Sequence, residues 1–394
     1  MNHHHSSNPE HTYTTNETRY YFANRPIEAA GENPEAVQYD IDKAIAEGYP
    51  LPKNPTQAIE ATMDTFNLEK YPSPIPEASD YVSARIRHSD DHFPGFNYGT
   101  FVMTPNQVAF AKFRYGPKNT EKQEVEGELV DVRVGGLERE AAVLTNLAEH
   151  GYETPAVLGY SPTFPEGAEP NEAETLETLY IEAIPPEEGT TLPPEQWTPS
   201  LAEMAARKIK TFARPTEQIE LFQDEAVQLP VEILLKRAHI NEGDAYHDAL
   251  AETLTNYQYL DQPIVVHGDT WLNNIIVKHD ESDAMFIDWE LAGAGYKGQD
   301  AGRTLWGLTL DGNWQFTTPG ENADAFVHEW LDVDDPEEER IDLQFGVVLE
   351  SLRWIADRQD KLATLDPNTA EAEQLLSEID TIKHHAVSII DRIQ

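Results

Sequence analysis

Apolar residues recur along the chain at helical and strand spacings, and each spacing predicts an element. Val37, Ile41 and Ile45 follow the cap-like Asn33-Pro34 at helical intervals and stop at Gly48, and Ile59, Met63 and Phe66 repeat the device after Asn54-Pro55. Residues 71–76 are proline-rich and read as a stiff linker. Alternation with period two then takes over: residues 81–87, 100–104 and 107–115 read as antiparallel strands, the last two joined at Pro105-Asn106. Residues 137–144 predict a helix and 178–184 a strand that Pro185 to Gly189 breaks, as at a hinge, whereas the acidic, Pro- and Gly-containing stretches 117–131 and 161–177 read as loops. Beyond these the pattern is mostly helical. Ser200 with Glu203 predicts a capping box ahead of Leu201, Met204, Ala205 and Phe212, and Leu250, Leu254 and Tyr257 mark another helix. Phe345, Val348, Leu349, Leu352 and Ile355 form one late amphipathic stripe; Leu376, Ile379, Ile382 and Ile389 form a second.

One stretch breaks this helical run. Ile264, Val265 and Val266 end at His267-Gly268-Asp269, the way a buried strand delivers polar groups to its end. Asn274 follows five positions after Asp269. The apolar runs 275–277 and 284–287, separated by turn-rich 279–283, then read as a β-hairpin that carries Asp288 back toward Asn274 and Asp269. A carboxylate and a carboxamide so placed offer hard oxygen ligands to Mg²⁺, and a second carboxylate orients an acceptor hydroxyl. This is the parts list of phosphoryl transfer.

Composition narrows the class. The 394 residues suffice for two lobes, and 39% hydrophobic content in clear periods argues against a disordered acidic chain. The formal charge of −43 repels nucleic acid, and no Lys/Arg run supplies a local basic patch. Such a charge keeps a protein soluble in concentrated salt, so the expectation is a folded cytoplasmic protein of a halophile. The chain has no cysteine, which excludes disulfides, thiolate metal sites and Cys nucleophiles. The first residues lack the apolar core of a signal peptide or anchor, and no stretch approaches the roughly 18 apolar residues of a membrane helix. His3 to His5 read as a tail rather than a metal site.

The order HxDxxxxN, a hairpin, then Ile287-Asp288-Trp289-Glu290 resembles the catalytic core of the aminoglycoside phosphotransferase and choline kinase group, distant relatives of protein kinases. The HGDxWxNN form is similar in particular to the ecdysteroid-kinase-like and fructosamine-kinase branches. The resemblance covers roughly residues 80–390. It implies an α+β, two-lobed protein-kinase-like fold, with an antiparallel-sheet N-lobe at 80–185 and a mostly helical C-lobe at 186–394. A tail and helical extension at 1–79 lie outside it.

The resemblance also implies roles. Lys112 stands where such families hold the nucleotide phosphates, with Glu140 as its partner on the next helix and Glu138 one slip away. Gly95 and Gly99, in a loop between the first two strands, would cover phosphates with backbone amides. Asp269 would accept or orient the acceptor hydroxyl proton, Asn274 and Asp288 would hold Mg²⁺, and ATP or another nucleoside triphosphate would be the donor. His267 is expected to fix the loop by hydrogen bonds. Asp300 resembles the next aspartate of the family, which braces the catalytic loop, although Gly295-Tyr296-Lys297-Gly298 before it departs from the usual turn.

The acceptor is expected to be a small molecule. Lys297, Arg303, Arg353 and Arg358 are rare cations after the core, and Arg303 and Arg353 suggest an anionic acceptor, a sugar or sugar phosphate, with Trp271 as an apolar wall. An amino alcohol or aminoglycoside is the alternative acceptor, and a nucleotide-holding pseudokinase the alternative of another class. Protein kinase activity is disfavoured, because no Ala-Pro-Glu segment or activation loop follows Asp288.

Overall fold

The computed structural model describes residues 137–163, 175–185, 188–216, 219–222, 230–240, 245–257, 263–311, 315–334 and 336–394, together with strand segments 69–70, 83–87, 95–103, 108–116, 121–125 and 128–132. The helices expected at 33–48 and 54–66 and the linker 71–76 lie outside the described residues. In chain order come strands β1 (Glu69–Lys70), β2 (Ser83–Arg87), β3 (Gly95–Met103), β4 (Val108–Gly116), β5 (Glu121–Val125) and β6 (Glu128–Val132), helix α1 (Leu137–Glu149), then β7 (Val157–Thr163), β8 (Thr175–Glu182) and β9 (Gly189–Thr191). Helices α2 (Pro199–Phe212), α3 (Val231–Ala238) and α4 (Ala245–Tyr257) lead to β10 (Ile264–Val266), the hairpin β11 (Ile275–Lys278) and β12 (Ala284–Phe286), and β13 (Gly293–Gly295). Four helices follow: α5 (Gln299–Gly307), α6 (Glu321–Trp330), α7 (Pro336–Ala363) and α8 (Ala370–Ile393).

The chain divides into two compact units, one of residues 1–193 with 273–291 and the other of 194–272 with 292–394. The hairpin β11–β12, grouped with 186–394 from sequence, thus counts with the first unit. There, a six-stranded antiparallel sheet runs β1-β3-β4-β8-β7, with β2 also on β3. Two expectations are corrected here. The segment around Gly95 and Gly99, read as a loop, is strand β3, because Phe96 and Tyr98 supply a period-two pattern that the glycines obscured. Residues 117–131, also read as loop, contain the paired strands β5 and β6, their alternation hidden by acidic composition. Strand β1 likewise puts two residues of the expected N-terminal extension into the sheet, opposite Val102 and Met103.

In the first unit α1 buries Leu137, Val143, Leu144 and Leu147, one face at helical spacing, and packs against β7 and β8. The expected hairpin forms, with Ile276 opposite Met285, and β9 extends it into three strands by pairing Thr191 with Ile276. Of the stretch 185–189, expected as a hinge, residues 185, 188 and 189 are described, and the Glu188 and Gly189 amides donate to the Pro185 carbonyl at 2.8 and 3.1 Å.

The second unit is helical, with the two-stranded pair β10–β13 inside it. The cap of α2 is Thr198 rather than Ser200: its hydroxyl accepts the Leu201 N–H at 3.3 Å, and Pro199, which has no amide to satisfy, takes the first helical position. Helix α7 is the axis of this unit, packing against α3, α4, α5 and α8. The stripe expected on α8 is shifted: Leu376 is 49% exposed, while His385 and Ala386 join Ile379, Ile382 and Ile389 in the interior. No helix among the described residues is long and apolar enough to cross a membrane.

The contact of α5 with α7 is unusually close. A Cβ on Gly302 would stand 2.1 Å from the Gly346 carbonyl carbon, and one on Gly346 would stand 1.9 Å from the Gly298 oxygen. Gly298 itself has φ 84°, which L side chains rarely adopt. Two ion pairs flank this glycine contact, the first partly exposed at its lysine and the second buried. Lys297 Nζ lies 2.7 Å from Asp342, and Arg303 Nε lies 3.0 Å from Glu350.

Candidate active site

The first unit assembles one cluster around Lys112. Strand β4 places it between Gly99 of β3 and Leu179 of β8, so one glycine candidate is its direct cross-strand neighbour, while Gly95 pairs with Arg87. The Lys112 ammonium donates to both Glu140 oxygens, at 2.9 and 2.7 Å, and to Asp288 Oδ1 at 2.7 Å. Glu140, not Glu138, is the helix partner. Helical geometry explains the choice, since Glu140 lies on the buried face of α1 with Leu137, Ala141 and Leu144. Its Oε1 also accepts the Trp289 N–H at 3.2 Å, a bond that ties the chain just after Asp288 to α1.

Burial works to lower the Lys112 pKa, but Asp288, Glu140 and Glu290 outweigh it and raise the ammonium well above lysine's ordinary value. Burial pushes the Glu140 carboxyl up to about 7, against the pull of Lys112. The hairpin brings Asn274 beside Ile287, the residue before Asp288: the Ile287 N–H donates to the Asn274 carbonyl at 2.9 Å, and Asp288 follows with φ 67°, a left-handed conformation that aspartate tolerates better than most residues. Asn274 is buried, and the Asp288 side chain keeps 21% of its surface exposed.

The second unit assembles another cluster, on the loop that leaves β10. His267 is fully buried and Gly268 has φ 81°, which reverses the chain where a Cβ would be strained. The Asp269 N–H donates to His267 Nδ1 at 3.2 Å. Asp300, in the first turn of α5, takes the His267 N–H on Oδ2 at 2.6 Å and the Gly268 N–H on Oδ1 at 2.9 Å; its own carbonyl accepts the Thr270 hydroxyl at 2.7 Å. Burial pushes the Asp300 carboxyl up to about 6, although these two amides and Arg303 draw it down.

Arg303 differs most from its expected place as an acceptor contact. It is 1% exposed, and its Nη1 donates to Asp269 Oδ1 at 2.8 Å and to the Gly268 carbonyl, while Nε donates to Glu350 Oε2 at 3.0 Å. A guanidinium so enclosed braces the loop from within and has no open face for an acceptor anion. Lys297 is held by Asp342, Glu338 and Glu339, and Arg358 by Glu378 at 3.3 Å with its guanidinium over the Trp354 ring. Arg353 is half-buried, 3.9 Å from Glu350. Trp271 lies 6.0 Å, ring to ring, from Trp354, which in turn touches Phe316 and Trp306.

Glu350, which the sequence analysis did not single out, is buried at 4% exposure as the partner of Arg303. The signal was present: a carboxylate between Leu349 and Leu352 on a helix whose neighbouring positions are apolar needs a buried cation.

The profile of the phosphotransferase enzyme family, APH, matches residues 132–343, more than half of the chain. The chain belongs to that family. No curated protein sequence matches this phosphotransferase. A proposed aminoglycoside phosphotransferase from Ralstonia eutropha JMP134 superposes at TM-score 0.50 with 16% identity, over 85% of this chain and 98% of that one. Two further solved structures are similar. A choline/ethanolamine kinase family protein from Mesorhizobium loti gives TM-score 0.44 and 13% identity over 85% of this chain and 99% of its own. A Plasmodium vivax ethanolamine kinase gives 0.46 and 14% over 91% and 97%. The phosphotransferase therefore has the α+β, protein-kinase-like fold, and its family membership makes it a small-molecule kinase.

Proposed function

We propose that this phosphotransferase moves the γ-phosphate of ATP, or of another nucleoside triphosphate, to a hydroxyl of a small molecule. The observation that carries the reading is the Lys112 ammonium shared between Glu140 and Asp288, 28 and 176 residues away in sequence. A lysine locked in this way is a fixed point charge for nucleotide phosphates. Asp269 orients the acceptor hydroxyl and takes its proton, and Asp300 and His267 hold the loop that presents it. With Lys112, Glu140, Asp269 and Asp288 all present and bonded, a turnover-free pseudokinase is the weaker reading.

Asn274 and Asp288 fit Mg²⁺: they are oxygen donors on either side of the hairpin, Asn274 bonded to the residue before Asp288, and Asp288 already faces a cation in the Lys112 ammonium. Among the described residues no group of three or more His, Cys, Asp or Glu stands ready to hold a metal alone. Mg²⁺ in kinases is ordinarily bound by one or two side chains plus the substrate phosphates, whose growing charge it offsets when bound. A cytoplasmic reaction, where nucleoside triphosphate is held, fits this chemistry.

A second reading concerns the acceptor. The leaning toward a sugar or sugar phosphate rested on two arginines, and Arg303 is committed to Asp269 and Glu350. With Lys297, Arg303 and Arg358 each held by carboxylates, and Trp271 and Trp354 half-buried beside one another, the balance moves to an amine-bearing acceptor such as an amino alcohol or aminoglycoside, for which aromatic rings are suitable walls. A phosphate-transfer screen in high salt against sugars, sugar phosphates, amino alcohols and aminoglycosides tests both. Transfer to an amine-bearing alcohol is expected; nucleotide binding without transfer to any hydroxyl would return the pseudokinase reading.

A further inference from the structure

Arg303 takes no part in the reaction proposed above, yet its surroundings are more specific than burial or bracing the loop requires. Its guanidinium does not pair with both oxygens of Glu350, the usual forked arrangement. Glu350 Oε1 instead accepts the Trp354 indole N–H at 2.9 Å, and only Oε2 faces Arg303. The far end of the guanidinium is thereby directed away from Glu350, onto the Gly268 carbonyl and Asp269 Oδ1. Helix α5 grips the loop twice within one turn. Asp300 takes the amides of residues 267 and 268, and Arg303, three positions on, takes the carbonyl of 268 and the side chain of 269.

The place of α5 is itself fixed, because Gly302 lies directly against Gly346. Glu350 lies four positions after that glycine, one turn further along α7, so the backbone contact and the ion pair set the same register. The Trp271 ring, 6.0 Å from the guanidinium carbon, lies against the same group.

We propose that Arg303 is a positioning residue for phosphoryl transfer: held by Glu350, which Trp354 fixes in turn, it holds Asp269 by one oxygen so that the carboxylate has a single orientation toward the acceptor hydroxyl. The proposal rests on the reading of Asp269 given above. A planar fork with several fixed donors suits this task where an ammonium does not. Arg303 touches neither acceptor nor nucleotide in it, so its loss acts on turnover through Asp269.

The test removes both charges together, since Arg303→Met alone leaves Glu350 buried without a counter-ion, whereas an apolar and neutral replacement of a whole buried pair is generally tolerated. The R303M/E350Q protein is compared with wild type by thermal melting, by hydrogen exchange of the peptide spanning residues 267–271, and by kinetics with an active acceptor. A near-wild-type midpoint is expected, with faster exchange in that peptide, kcat lower by about 100-fold and nucleotide KM within about twofold, the scale of a misplaced catalytic group. Arg303→Lys keeps the charge and serves if the double variant does not fold; faster loop exchange and kcat lower by about 10-fold are expected for it.

Wild-type exchange and wild-type kcat in either folded variant overturn the proposal. Faster loop exchange in the variants, from a wild-type protein that transfers phosphate to no acceptor, would leave the positioning role standing and sink the phosphotransfer reading instead.

Discussion

The Lys112 ammonium lies 2.7 Å from Asp288 Oδ1, joining the central sheet to the end of the β11–β12 hairpin, and Glu140 holds the same ammonium from α1. One cation thus sets the distance between two carboxylates that would otherwise repel each other. Removing one partner of a buried ion pair costs about 3–5 kcal/mol. Lys112→Met is expected to lose stability on that scale and to weaken Mg-nucleotide binding, whereas Lys112→Met with Glu140→Gln regains stability but not affinity. Denaturant unfolding and calorimetry separate the two effects, and unchanged nucleotide affinity in both would remove Lys112 from the phosphate site.

Asp269→Asn and Asp288→Ala are expected to fail differently. The first keeps nucleotide binding but slows turnover by at least about 100-fold, the scale of a lost general base. The second loses Mg²⁺-dependent nucleotide binding, because only the neutral Asn274 remains as a ligand. Titration with and without Mg²⁺, beside single-turnover kinetics, tells them apart; a shared phenotype contradicts the division of roles.

Gly302→Ala is the smallest change that should disturb the catalytic loop without touching it. Its Cβ would meet the Gly346 backbone at 2.1 Å, and backbone cannot move aside as a side chain does. Overpacking of this kind costs about 1–3 kcal/mol or more. Because α5 carries both Asp300 and Arg303, kcat should fall with stability. A Gly302→Ala protein as stable as wild type would show that the α5–α7 contact yields.

His385 gives a pH dependence with a definite sign. Its Nε2 is bonded to Thr309 Oγ1 at 2.7 Å and its ring lies 4.4 Å from Phe316; burial pulls its pKa down from 6.5 to about 4. The unfolded chain therefore binds the proton first, so this contribution is complete above pH about 6.5 and is lost as pH falls toward 4. His385→Gln keeps a donor for Thr309 but does not titrate. Between those limits its stability should fall less steeply than wild type, by up to about 3 kcal/mol. Parallel curves from denaturant unfolding at several pH values would refute this.

Salt should stabilise the whole molecule. A formal charge of −43 repels itself most in dilute buffer, so the melting midpoint is expected to rise toward molar KCl. Equal midpoints in the two solvents would show that the charges are spaced widely enough not to matter.

From the sequence alone, local order was legible wherever neighbours in the chain decide it. The run Ile264 to Val266, the turn at Gly268-Asp269, the hairpin that returns Asp288 to Asn274, and the late helices all follow from side-chain periodicity and turn chemistry over a few residues. Lys112 and Glu140 were readable for another reason, since each occupies a fixed place in a motif order. Misreadings fell where composition masked period: the glycines of β3 and the acidic strands β5 and β6 looked like loops. What only the tertiary structure decided is how scarce cations pair with abundant carboxylates. Seventy-one acidic side chains offer Arg303 no preference in sequence. Burial of Glu350 at 4% exposure and the backbone contact of Gly302 with Gly346 make it, beside Asp269, one of the two carboxylates that Arg303 pairs with. A charge is costly to bury unless its partner is buried beside it, and that condition depends on helices α5 and α7 meeting at their glycines, a contact between residues 44 positions apart that no local pattern expresses.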